Sequence, residues 1–258
     1  MSLSDPLEKL MKVVENLKNS SGVLNSHYFT TLRSGEMSRG VFEDSQQQFF
    51  FAVRFFSRAM AALAARVVDS HDRFALIHNL AEEHGLVAED TVDSGSIQSP
   101  ATSPKGLGFN RGMAHDQTFR IFLNRLRNQN LSGQFRVVER PAVRAFNLAL
   151  WAVCAIEPPP TAFACLGAIE FAFADISALI GQCVVHHQWI SRDALIHYKL
   201  HAEIDKRHAG DFFSVVAASW NADDGVRWEV ESGLSLGLYL FRRLYDELLM
   251  EALEHGRE

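Results

Sequence analysis

A run near residue 200 places three metal-competent side chains at helical spacing. His201, Asp205 and His208 stand at positions i, i+4 and i+7 of this run. At roughly 100° per residue, their Cβ vectors would fall within about 60° of one another on an α-helix. Two imidazoles and a carboxylate without thiolate suit non-haem iron or manganese. The alternative is a solvated surface network in which Asp205 pairs with Lys206 or Arg207.

A second candidate ligand is Glu170, which stands alone in an otherwise apolar helical segment. Apolar side chains surround it on every helical face. Burying a carboxylate without a partner costs several kcal/mol, so this pattern requires a partner. A metal ion is the favoured partner. The alternative is a buried salt bridge to an arginine such as Arg54 or Arg144.

Two adjacent glutamates, Glu82 and Glu83, end an amphipathic segment just before Gly85. Neighbouring helical positions point about 100° apart, so we expect at most one of them to face the core. Glu83 is favoured, because it follows Leu76 and Leu80 on the apolar stripe, whereas Glu82 lies nearer the solvent side. The alternative is a pair of solvated glutamates before a glycine cap.

The remaining imidazoles differ in how well their context supports a site. His115 precedes an apolar helical face and is expected in the first turn of that helix, where its ring can reach inward. His197 shares a helix side with His201, but no carboxylate lies at helical spacing on the same side to accompany it. Surface positions are expected for four others, namely His78, His84, His186 and His187.

These candidates depend on helices, which the apolar periodicity predicts along most of the chain. No segment alternates with the two-residue period of a strand for long enough to found a sheet. Residues 90–112, rich in Ser, Gly, Thr and Pro, are expected to form a long surface loop. The sequence therefore predicts an all-α fold, with residues 1–258 as a single domain. The helical segments span residues 7–17, 42–68, 73–86, 118–126, 142–156, 161–185, 192–219 and 228–254.

Composition limits the kinds of partner. The 258 residues carry a net charge of −6 and are 47% hydrophobic, which argues against nucleic acid and against an anionic membrane surface. Cys154, Cys165 and Cys183 lack metal-binding spacing and are expected to be buried thiols in a reducing compartment. With neither a signal peptide nor a spanning segment recognisable, we expect a cytoplasmic protein whose partners are small molecules or proteins.

The order of six residues along the chain resembles the haem-oxygenase-like di-iron oxidases, also described as the iron-containing redox enzyme family. The motif Tyr198-x-x-His201-x-x-x-Asp205-x-x-His208-Ala is the most specific part of this resemblance, which spans roughly residues 40 to 220. The segments Asn79-Leu-Ala-Glu-Glu-His-Gly85, His115-Asp-Gln-Thr-Phe119 and Ala168-Ile-Glu170 are similar to its other motifs. The six residues are Glu83, His115, Glu170, His201, Asp205 and His208.

The resemblance implies a bundle of about seven helices that holds two iron ions, with manganese as an alternative, at these six ligands. It implies dioxygen activation and oxidation of an amine, an amino acid or a fatty acid. Some members place a histidine three residues after the glutamate, which here is Leu86, and others a ligand seven residues after it, here Asp90. His115 is favoured over both because Phe119 follows it in the family's spacing.

Other functions occur on the same fold. Thiaminase II and pyrroloquinoline quinone synthase are cofactor-free relatives, and a thiaminase-like hydrolase would use Cys165, one helical turn from Glu170, as its nucleophile. A non-enzymatic binding protein with a degenerate pocket is the third alternative. The apolar residues 234–249 would offer it a homodimer interface. Five phenylalanines could line the cavity, although core positions are expected for most: Phe49, Phe50, Phe51, Phe55 and Phe56.

Overall fold

A computed structural model describes residues 5–88, 107–127 and 137–256 of the chain. Nine α-helices account for most of these residues, so the all-α fold is confirmed. One of them, α2, is only eight residues long and was not predicted, because so short a segment shows too little periodicity. The helices are α1 (Pro6–Ser21), α2 (His27–Ser34), α3 (Arg39–Ala64), α4 (Ser70–Glu83), α5 (His115–Arg127), α6 (Pro141–Ile156), α7 (Pro159–His186), α8 (His197–Ala222) and α9 (Asp224–His255).

Helix α7 forms the centre of the bundle and packs mainly against α8 and α9. Pro159 and Pro160 start it, since proline is tolerated in a first helical turn. Its contact with α9 is close because Gly233 and Gly237 have no Cβ, which would otherwise meet the backbone of α7. By length and composition α7 could cross a membrane, but 83% of its most apolar stretch is buried inside the protein. This burial accounts for its apolar character.

One cluster of buried apolar side chains draws on all nine described helices. It includes residues of α9 such as Leu234, Phe241, Leu244 and Leu248. The apolar pattern that suggested a homodimer interface at residues 234–249 is therefore explained in large part by the chain's own core. The homodimer and the single-domain organisation stay predictions.

A sharp turn at Gly85 connects the end of α4 to the short strand β1 (Leu86–Ala88), which pairs antiparallel with β2 (Leu107–Phe109). The expected loop at 90–112 is therefore wrong for its last residues, which form β2 and a 3₁₀ turn at Arg111–Met113. Residues 89–106, including the alternative ligand Asp90, lie outside the described residues. Three-residue strands are too short to show the periodicity on which strand prediction rests.

Gly85 adopts a φ of +92°, a region that side chains with a Cβ rarely enter. A Cβ at this position would also collide with the backbone carbonyl of Asn110. The carbonyl of Gly85 accepts a hydrogen bond from the amide of Asn110, at 2.8 Å. This turn thus sets the end of α4 beside the start of α5.

Candidate metal centre

Four helices bring the candidate ligands to one place in the core. The last turn of α4 carries Glu83, the first residue of α5 is His115, and the middle of α7 carries Glu170. The fourth helix, α8, contributes His201, Asp205 and His208, and all three are buried. The structure therefore brings together all six residues predicted as ligands.

His115 and Glu83 form the first imidazole–carboxylate pair of the site. Nδ1 of His115 donates to Oε1 of Glu83 across 2.7 Å, and the two side chains are 3% and 7% exposed. The His115 ring centroid lies 4.4 Å from that of His201. The hydrogen bond and the short ring contact tie the α4–α5 junction directly to α8.

Within α8, His201 pairs with Asp205 one turn further along. Nδ1 of His201 lies 2.8 Å from Oδ1 and 3.1 Å from Oδ2 of Asp205, which is fully buried. Lys206 pairs instead with Asp175, and Arg207 with Glu82. The surface-network interpretation of Asp205 is therefore wrong, because Asp205 faces the core while its two basic neighbours face outward.

The third pair joins His208 to Glu82, a contact that the sequence did not predict. Nε2 of His208 donates to Oε2 of Glu82 at 2.6 Å, and Arg207 donates to both carboxylate oxygens of Glu82. The expectation that at most one of Glu82 and Glu83 faces inward is wrong. The end of α4 lies between α5 and α8, so side chains that point about 100° apart each meet a histidine on a different helix.

Glu170 is 4% exposed and faces other ligand candidates rather than an arginine. Its Oε2 lies 3.9 Å from Nδ1 of His208, and one ligand atom each of Glu170, Asp205 and His208 lie within 4.8 Å of one another. In the described part of the chain neither Arg54 nor Arg144 pairs with it. These three residues form a group that could hold a metal ion.

Burial and mutual contact shift the pKa values of this cluster in opposite directions. Burial, together with the neighbouring Asp205, raises the pKa of Glu170 to about 7. Burial disfavours the charged form of His208, but the nearby carboxylates of Glu170 and Glu82 outweigh this effect and raise the pKa of His208 to about 10. Burial and the adjacent His115 lower the pKa of His201 to about 3. Without metal, protons on His208 and Glu170 therefore balance part of the carboxylate charge.

Two ring nitrogens of the cluster are buried without a hydrogen-bond partner among the described residues. They are Nε2 of His201 and Nδ1 of His208. A buried polar atom left without a partner costs about 1–3 kcal/mol, so their retention needs an explanation. The opposite nitrogen of each ring is paired with a carboxylate, the arrangement that orients metal-binding histidines. The donor set therefore fits divalent metal ions of the iron and manganese type.

A cavity of about 50 Å³ adjoins the cluster. Of the five phenylalanines between residues 49 and 56, Phe49 and Phe56 line it, whereas Phe50 stacks on Phe119 in the core. The walls are mainly apolar, which keeps bulk water away from the imidazole and carboxylate groups. The lining residues are Phe49, Ala52, Val53, Phe56, Glu83, His115, Phe146, Ile169, Glu170, Phe173, His197, His201 and Phe241.

His197 belongs to this cavity, although its sequence context gave it no role. It is fully buried, its Nδ1 lies 2.9 Å from Oγ1 of Thr118, and its ring centroid lies 4.2 Å from that of His201. The available signal was its position four residues before His201, on the same helix side. This position alone does not predict a site residue, because no carboxylate on α8 follows His197 at the spacing that joins Asp205 to His201.

Cys165 is fully buried but does not line the cavity. Burial, with a further contribution from Cys154, raises the pKa of its thiol far above the ordinary value. A thiolate is the nucleophilic form of cysteine, so this environment opposes its formation. All three cysteines are free and buried, as predicted.

Comparison with known proteins finds likeness in structure alone. No family model and no curated protein matches the chain. A protein of unknown function with a haem oxygenase-like fold from Shewanella denitrificans is 12% identical, with a TM-score of 0.69 over 99% of this chain and 96% of its own. A CADD-like protein of unknown function from Nostoc punctiforme is 14% identical, with a TM-score of 0.71 over 95% of this chain and 98% of its own.

A TenA homologue from Pseudomonas syringae is also similar, at 14% identity and a TM-score of 0.65, with coverage of 95% of this chain and 92% of its own. Identities this low show the fold and leave the chemistry to be argued from the site. The chain has the haem oxygenase-like all-α fold. The resemblance drawn from its sequence is thus confirmed for the fold.

Proposed function

We propose that this chain is a non-haem oxidase or oxygenase that holds two iron ions, or two manganese ions, and uses dioxygen to oxidise a small molecule. The observation that carries the proposal is the buried group of Glu170, Asp205 and His208. Its acidic members face an imidazole nitrogen that has no hydrogen-bond partner in the described parts of the chain. A metal cation would neutralise the buried carboxylates and, in displacing the proton of His208, would bind this nitrogen.

Acidic side chains supply most of the charge needed to neutralise two divalent ions. Glu83, Glu170 and Asp205 contribute three carboxylates, whereas the carboxylate of Glu82 is already paired with Arg207. The proposed ligands are the six residues predicted from the sequence. We assign Glu82 the role of orienting His208, because its bond to Nε2 leaves Nδ1 as the nitrogen that faces Glu170.

Iron, when bound, would supply the redox chemistry and the open coordination position that dioxygen needs. The chain itself would orient the ligands through the hydrogen bonds at His115, His201 and His208. Its phenylalanines would exclude water from the reacting groups. The apolar cavity supports a substrate that presents an apolar portion to the site, chosen among amines, amino acids and fatty acids.

The proposal is tested by anaerobic titration of metal-free protein with Fe(II), followed by measurement of oxygen consumption. We expect two iron ions per chain and oxygen uptake, both diminished in His201→Ala. Glu203→Ala is the matched control, since Glu203 lies on α8 but is exposed. Iron binding no tighter in the wild type than in His201→Ala would contradict the proposal. A small-molecule partner, a homodimer and a cytoplasmic location remain predictions.

A metal-free, TenA-like hydrolase is the second candidate, and the structural likeness to the TenA homologue favours it. If Cys165 were its nucleophile, Cys165→Ala would abolish hydrolysis. We expect this substitution to leave iron binding unchanged, because Cys165 does not line the cavity, and to lower stability by about 1 kcal/mol, because it removes one buried sulfur atom. Hydrolysis of a thiamine-like substrate by metal-free protein, lost in Cys165→Ala, would support the second candidate over the first.

A further inference from the structure

His197 is held by a hydrogen-bond arrangement that decides which of its ring nitrogens carries the proton. Oγ1 of Thr118 lies 2.9 Å from the carbonyl oxygen of His115 and 2.9 Å from Nδ1 of His197. A carbonyl can only accept, so the single hydroxyl proton of Thr118 goes to His115. Nδ1 of His197 must then be the donor to Thr118.

The consequence is a lone pair on the other nitrogen of the ring. A neutral imidazole that carries its proton on Nδ1 presents Nε2 as an acceptor. Nε2 of His197 is buried and has no hydrogen-bond partner within the described residues, while the ring lines the cavity.

His201, one turn along the same helix, presents a second lone pair to the same cavity. With Asp205 ionised, as a bound cation would make it, Nδ1 donates to Asp205 and Nε2 is the acceptor; this Nε2 is likewise buried without a partner among the described residues. The ring centroids of the two histidines are 4.2 Å apart. Two acceptors cannot satisfy each other. Histidines at positions i and i+4 of a helix are a known spacing for holding one metal ion through both rings.

We propose that His197 is a further metal ligand, which joins His201 in binding one of the two ions through Nε2, with Thr118 fixing its tautomer. This inference rests on the proposed metal site and adds a ligand outside the set that the sequence suggested. A single cation would accept both lone pairs. Neither Nε2 has a hydrogen-bond partner among the described residues, and most of the surrounding cavity wall is phenylalanine and aliphatic.

The test is titration of metal-free protein with Co(II), whose visible absorption reports both affinity and coordination. The variant is His197→Asn, because the asparagine amide can still donate to Thr118 but has nothing at the place of Nε2. We expect the affinity for one Co(II) ion to fall at least about tenfold, with a changed absorption spectrum at saturation. The second ion should bind as in the wild type.

His187→Asn is the matched control, since His187 bonds a backbone carbonyl away from the cavity. Thermal unfolding of each metal-free variant establishes that it is folded. Should His197→Asn not fold, Thr118→Val serves instead, because it removes the acceptor for Nδ1 and is expected to weaken the same ion.

The possible results separate the two proposals. Two Co(II) ions bound equally by wild type and folded His197→Asn, with unchanged spectra, would overturn the role of His197 and leave the metal site standing. Failure of the wild type to bind Co(II) or Fe(II) would overturn the proposed function itself.

Discussion

Nε2 of His208 lies 2.6 Å from Oε2 of Glu82, so a hydrogen bond links the last turn of α4 to the centre of α8. Burial raises the pKa of Glu82, but the hydrogen bonds from His208 and Arg207 outweigh it and bring the pKa down to about 2. The carboxylate is therefore ionised at neutral pH. It fixes the orientation of a buried imidazole that faces Glu170.

Replacement of Glu82 by alanine is predicted to weaken metal binding and the metal-free fold together. His208 would lose the acceptor of its Nε2 proton, and such a loss costs about 1–3 kcal/mol for a buried group. Loss of a residue that orients a metal-binding histidine typically lowers metal affinity about 10–100-fold. Isothermal titration with Fe(II) and urea unfolding measure the two effects. Glu203→Ala is the control, and unchanged affinity in Glu82→Ala would reduce Glu82 to a surface partner of Arg207.

Replacement of Glu170 by methionine is predicted to stabilise the metal-free protein while abolishing metal binding. The carboxyl is buried, and burial with the adjacent Asp205 raises its pKa to about 7, so its ionised form is unfavourable in the fold. An apolar side chain of similar volume should raise the unfolding free energy by about 1–3 kcal/mol above pH 7. Chemical denaturation at pH 8 checks this, with Glu203→Met for comparison. A Glu170→Met variant less stable than the wild type would mean that the protein stabilises the buried carboxylate without a metal ion.

Replacement of Gly85 by alanine is predicted to destabilise the protein by about 2–3 kcal/mol. A residue with a Cβ is strained at a φ of +92°, and here it would also press on the backbone of Asn110. The turn joins the glutamates of α4 to His115, so iron affinity should fall as well. Gly40→Ala is the control, because a Cβ at Gly40 meets nothing within 4 Å. Equal melting temperatures of Gly85→Ala and wild type would contradict this account.

Acid is predicted to destabilise the metal-free protein through His201. Burial and His115 depress its folded pKa to about 3, whereas the unfolded chain binds the proton near pH 6.5. Protons therefore favour the unfolded state between these values. The His201 contribution is fully present above pH 6.5 and is lost as the pH falls towards 3, at up to about 1.4 kcal/mol per pH unit.

This pH dependence is measured as the difference in unfolding free energy between wild type and His201→Asn, from pH 7 to pH 4. The difference should shrink as the pH falls, since asparagine does not titrate. A difference that stays constant over this range would show that His201 is protonated in the folded state.

The parts of the site that could be predicted from the sequence depend on local geometry. The spacing of His201, Asp205 and His208 places them on one face because any α-helix turns by about 100° per residue. The lone carboxylate of Glu170 in an apolar segment signals burial through composition alone. The all-α fold follows from helical periodicity, which long segments such as α3, α7 and α9 show over many turns.

What only the tertiary structure decided is how separate elements meet. Glu82 and Glu83 both reach the site because α4 ends between α5 and α8, a relation that no property of α4 encodes. The tautomer of His197 depends on Thr118, 79 positions away in the chain. The turn at Gly85 and the short α2 and β1–β2 elements lack enough residues to show a period. Sequence patterns thus determined that Glu170, Asp205 and the histidines flanking Asp205 face inward, and packing between helices determined which further side chains come within bonding distance of them.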